Sequence, residues 1–157
     1  MISRLNITEF RERLNENTKY GNPKIKGTPF GALYIFRESN KIFFGTYNKN
    51  KFELTKNSIV KVTPYIIFGE IQSKNKVQTE VNYKIKPIGF GYYWMKYFLL
   101  IGIPIFNLVL YTTSAPLEIF KIANLGLFTM GIFNYFYIGR MKNKLENDFK
   151  RIFEIEI

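Results

Sequence analysis

The chain has no cysteine and no histidine among its 157 residues. That excludes disulfides, Cys/His zinc centres, cysteine nucleophiles, histidine-dependent triads and histidine haem ligation together. Acidic residues are scarce as well, with 12 Asp and Glu against 23 Lys and Arg. Catalysis would have to rest on carboxylates, lysine, tyrosine or a serine–lysine pair. Glu38, Glu53, Glu70 and Glu80 fall in turns or on polar strand faces, and no two make a recognisable acid/base pair. Gly89-Phe90-Gly91 lacks the spacing of a phosphate loop, and no dinucleotide fingerprint occurs. The expectation is a non-enzymatic protein with no catalytic residues, cofactor or metal.

An apolar run is also missing from the start of the chain. MISRLNITEFRERLNEN is polar and charged, unlike the apolar centre of a secretory signal. Targeting and anchoring are therefore expected from the one strongly apolar region, Tyr92 to Gly139. There, 21 residues from Tyr97 to Leu117 carry no charge, and neither do 18 from Ile122 to Gly139. Two spans of about 20 residues each match a hydrocarbon core about 30 Å thick. Thr112-Thr113-Ser114-Ala115-Pro116 is the turn between them, so the reading is a transmembrane hairpin with helices at about 92–112 and 116–139.

Charge orients the hairpin. Lys74, Lys76, Lys84 and Lys86 precede the first span and Lys96 lies just inside it; Arg140, Lys142 and Lys144 follow the second. The turn has no Lys or Arg. The positive-inside rule then puts both termini in the cytoplasm of a bacterium, or on the equivalent side of an organelle membrane. Tyr92, Tyr93 and Trp94 form an aromatic belt, and with Lys96, Arg140, Lys142 and Lys144 they are expected to meet lipid headgroups, anionic ones above all. On the cytoplasmic side the Asn6-Ile7-Thr8 sequon would not be glycosylated.

Polar residues inside the spans need partners. Counted from the turn, Asn107 and Asn124 lie at similar depth, and Asn134 lies near the level of Lys96. They are expected to form an intramembrane polar seam, within the hairpin or toward another membrane protein. Glu118 and Lys121 are spaced i,i+3 near the outer turn and suit an interfacial ion pair. Pro104 should kink the first helix or free a carbonyl.

Residues 1–91 read as a β-rich cytoplasmic domain. Asn6 and Glu9 have capping-box spacing for a helix over about 6–17, with Ile7, Phe10 and Leu14 on one face. That helix packs on the domain; Arg4, Arg11 and Arg13 would suit a bilayer surface, but the apolar face is small. Residues 18–30, with two prolines and two glycines, read as a loop. Strands are expected at ALYIF (32–36), KIFFGTY (41–47), KFEL (51–54), SIVKV (58–62) and YIIFGEI (65–71). The clearest strand alternates Val77, Thr79, Val81, Tyr83 and Ile85 with polar neighbours through Lys86. Six short strands predict a small antiparallel β-barrel or sandwich.

The tail 140–157 reads as an amphipathic continuation of the second helix, with a stripe of Met141, Leu145, Phe149, Ile152 and Phe153. Its last residues, FEIEI, alternate and could add a strand to the domain edge. The fold class is thus an α+β membrane protein with an N-terminal helix, a β domain, a transmembrane hairpin and a helical tail.

Nucleic acid is the weaker reading of the positive charge, because lysine outnumbers arginine 17 to 6 and the lysines are scattered over most turns. The expected function is partner binding by the β domain, as a small structural or accessory subunit of a larger membrane assembly, with self-association as a variant. Two alternatives remain: a ligand-sensing barrel with a membrane-perturbing oligomeric hairpin, and a module that binds anionic lipid.

Overall fold

The computed structural model describes residues 1–28, 40–58 and 63–156. The strand expected at 32–36, the turn at 38–39 and most of the strand at 58–62 lie outside these residues. The chain divides into two compact units. One combines Met1–Tyr92 with Met141–Ile157, and the other is Tyr93–Arg140.

The first unit is built on one seven-stranded sheet. Its strands are β1 (Ile2–Ser3), β2 (Thr18–Tyr20), β3 (Phe43–Tyr47), β4 (Lys51–Lys56), β5 (Tyr65–Ser73), β6 (Thr79–Pro87) and β7 (Ile155–Glu156). Their order is β2-β3-β4-β5-β6-β1-β7, with β2 and β3 parallel and all other pairs antiparallel. The barrel or sandwich expected from the strand count is corrected by this topology. Among the described residues the sheet is single, mixed and open, because its outer strands β2 and β7 do not pair. A helix layer, rather than a second sheet, covers its apolar face.

That face follows from the register. Phe43, Leu54, Phe52, Ile67, Ile71 and Val81 alternate inward and are buried. Against them pack Phe10 and Leu14 of α1 (Ile7–Asn17) and Leu145 and Phe149 of the last helix. Phe149 lies at the centre, its ring centroid 4.9 Å from Phe153, 5.1 Å from Tyr83 and 5.3 Å from Phe52. The alternating end of the tail does form a strand, β7, which pairs Ile2 with Glu156 while Ile2 also pairs with Glu80.

Local signals explain most elements. The α1 capping box is complete, with Asn6 accepting from Thr8 and Glu9 and the Glu9 carboxylate accepting from the Asn6 amide. In β6, Thr79, Val81, Tyr83 and Ile85 share the core face as the alternation predicts. Val77 does not join them; it is exposed in a turn closed by Asn75, whose side-chain oxygen accepts from the Val77 and Gln78 amides. Of the loop expected over 18–30, residues 29–30 lie outside the described residues, and the rest holds β2 and a 3-10 helix, Pro23–Gly27. Lys26 of that helix is buried beside Phe44, and its ammonium donates to the Ser58 carbonyl.

The second unit is a pair of helices, cut from α2 (Gly89–Thr112) and α3 (Leu117–Ile152). Both are long and apolar enough to cross a membrane. Their large side chains point outward: Leu100, Ile122, Leu125 and Phe133 are all more than 60 % exposed. α2 continues through Pro104. It ends in a Schellman motif, where the Ser114 amide donates to Tyr111 and the Ala115 amide to Leu110. Ser114 holds the left-handed conformation this motif requires, at φ 51°. The chain reverses within Thr113–Pro116 and α3 begins.

Candidate functional site

Within the helical unit, the polar groups form two separate contacts. Asn107 and Asn124 exchange hydrogen bonds in both directions, each of 2.8 Å. Each carboxamide also donates at 2.9 Å to a carbonyl one turn back, Ile103 or Phe120. All four N–H donors of the pair are therefore used, which is what amides surrounded by apolar side chains require. Asn134 does not extend this pair. Its amide donates to the backbone carbonyl of Met95, which ties the flank ends of the two helices together and sets Lys96 beside the level of Asn134.

The remaining residues of the hairpin are distributed as follows. Tyr93 stacks on Tyr97, Trp94 stacks on Phe98, and the Lys96 ammonium lies 5.3 Å from the Tyr97 ring centroid. Arg140 is exposed. Glu118 and Lys121 are both exposed, and among the described residues no ion pair joins them. Three-residue spacing on a helix permits such a pair without enforcing it, and both side chains extend outward instead.

The sheet unit carries the others. Tyr92 sets its ring edge against Tyr65, 5.5 Å between centroids, and Lys142 and Lys144 are exposed. Two polar clusters that sequence reasoning missed fasten α3 to the sheet. The Tyr83 hydroxyl donates to Glu146 at 3.0 Å, and Lys150 pairs with the same carboxylate at 2.8 Å. The Lys150 hydrogen bond is the main cause that holds the Glu146 carboxyl below its ordinary value, with help from Tyr83. Burial first, and then the Glu146 bond, raises Tyr83; the Glu146 bond raises Lys150. In the second cluster Asp148 takes both Lys56 of β4 and Arg151. The signal available was the i,i+4 pair Glu146/Lys150, but its strand partner is 63 residues away and invisible locally.

The opposite face of the sheet carries an open groove of about 550 Å³ over β4–β6. Glu53, Phe68 and Lys84 lie side by side across three strands there, as do Lys51, Glu70 and Asn82. Lys51 and Glu70 form an exposed ion pair at 2.9 Å, and the Lys86 ammonium lies 5.5 Å from the Phe68 ring centroid.

Fold and site together define an α+β protein whose sheet domain is interrupted by a pair of long apolar helices. Comparison with protein-family models, curated proteins and solved structures finds no match for this chain.

Proposed function

We propose that this is an integral membrane protein of two spans, with a cytoplasmic α+β domain tethered by the hairpin, acting without catalysis as an accessory subunit of a membrane assembly. One observation carries the membrane reading: β1 from residues 2–3 pairs with β6 from 79–87 on one side and with β7 from 155–156 on the other. The segments before and after the hairpin therefore fold as one body, so both ends of the hairpin must emerge on the same side of a bilayer. An even number of crossings meets that condition, and the outward apolar side chains suit lipid. Lys and Arg flank both ends while the turn has neither, a pattern that supports the cytoplasm as the shared side. In this reading residues 1–91 and 140–157 are cytoplasmic and 92–139 span the membrane.

Partner binding fits a domain whose polar clusters serve its own packing. The asparagine pair is satisfied inside the hairpin, so the surface offered to a partner protein is the sheet face bearing Phe68, Lys84 and Lys86. A sensing role loses the enclosed ligand cavity of a barrel, since the described sheet is open.

Two measurements test this. The chain has no cysteine, so Ser114→Cys and Asn48→Cys provide single labelling sites. An impermeant maleimide on intact cells should label position 114 and not 48; the reverse pattern inverts the topology. Gentle solubilisation from the native membrane should then yield a complex larger than the 18.6 kDa chain, and Lys84→Glu with Lys86→Glu should release the partner. A lone monomer would overturn the subunit role.

A further inference from the structure

A second groove, about 510 Å³, runs along the helical unit between α2 and α3. Its walls are largely apolar, with Leu99 and Ile103 from α2 and Leu127 and Tyr135 from α3, and Gly131 is among the residues that line it. A Cβ at Gly131 would stand in ordinary van der Waals contact with Leu99, 3.6 Å away, and any larger side chain at this lining position would take up groove volume. Lys96 stands at the flank end, at the level fixed by the Asn134–Met95 bond.

We infer that this groove seats one acyl chain of an anionic phospholipid, with the Lys96 ammonium on its phosphate. The inference rests on the membrane reading above and deepens it. Length supports it: from Leu127 to Ile138 the groove follows α3 for about 16 Å at 1.5 Å per residue. That is close to the ~15 Å depth of one hydrocarbon leaflet. Charge supports it too. Between residues 93 and 140 the flank end has Lys96 and Arg140 and no carboxylate, a net positive end, while near the turn Glu118 offsets Lys121. A cation at the headgroup level and an apolar trough running inward from it match the two parts of a single lipid.

The test uses the full chain in nanodiscs of mixed phosphatidylglycerol and phosphatidylcholine, released into native mass spectrometry. One lipid should be retained per chain, with phosphatidylglycerol favoured about fivefold, the effect of one well-placed lysine. Gly131→Phe should abolish retention of both lipids, whereas Lys96→Gln should keep retention and lose the preference. Gly126→Phe is the control for bulk, since a side chain there meets nothing within 4 Å. Equal retention of both lipids by the native chain, retention unchanged in Gly131→Phe, a preference unchanged in Lys96→Gln, or equal loss in Gly126→Phe would each overturn the inference. Carbonate extraction separates the two levels. A protein that stays in the membrane without a retained lipid defeats the groove alone, and a protein that washes off defeats the membrane reading as well.

Discussion

Asn107 and Asn124 hold each other through two hydrogen bonds of 2.8 Å, one in each direction, across the two helices of the hairpin. Replacing either by leucine leaves a carboxamide facing apolar surroundings without its partner. Each single variant should therefore loosen the hairpin more than the double variant does, with a coupling of about 0.6–2 kcal/mol. Unfolding of the four proteins in increasing SDS measures this cycle. Additive single losses would mean that the pair contributes no coupling.

Phe149 anchors the tail helix. It is fully buried, with Phe52, Phe153 and Tyr83 around it. Phe149→Ala should cost about 3–5 kcal/mol. Urea unfolding of the sheet unit, followed by near-UV circular dichroism of the full chain in nanodiscs, reads that loss.

The Tyr83–Glu146–Lys150 cluster makes stability depend on pH at both ends. Glu146 titrates below its ordinary 4.5 in the folded state, chiefly because of Lys150. Its contribution is complete above that value and is lost as pH falls through the lower folded value. Tyr83 and Lys150 are raised above their ordinary 10.0 and 10.5, so their contributions are complete below those values and disappear as pH rises beyond them. Glu146→Gln should shrink the acid limb of a urea-midpoint profile and lower its neutral plateau. An acid limb unchanged from the native chain would count against this assignment.

Gly45 of β3 faces a wall that cannot yield. A Cβ there would lie 1.9 Å from the Glu53 carbonyl oxygen, which is backbone. Gly45→Ala should separate β3 from β4 and cost about 1–3 kcal/mol or more. Gly89→Ala, at the start of α2 in the same unit and with nothing within 4 Å, should not destabilise it. Urea midpoints compare the two directly.

The asparagine contact was legible because helix rise converts sequence position into depth, so two residues equidistant from a tight turn must meet if they face inward. The partner of Asn134 was not legible. It is a backbone carbonyl, and every residue of the facing helix has one. Glu118 and Lys121 show the opposite limit, since helical spacing permits an ion pair but solvent-facing rotamers need not form it.

What the sequence determined by itself was local: two uncharged apolar runs, a capping box at Asn6 and Glu9, and the alternation that turns Val81 and Tyr83 inward. Each depends on residues within a few turns or one strand. The tertiary structure decided how those elements join. Whether strands close into a barrel or lie open depends on which edges meet, and here residues 2, 80 and 156 meet at one edge. The helix that covers the apolar face arrives after a 48-residue detour through the hairpin. Pairing over such separations is selected by the summed burial of the whole face around Phe149, a quantity that no short window of sequence contains.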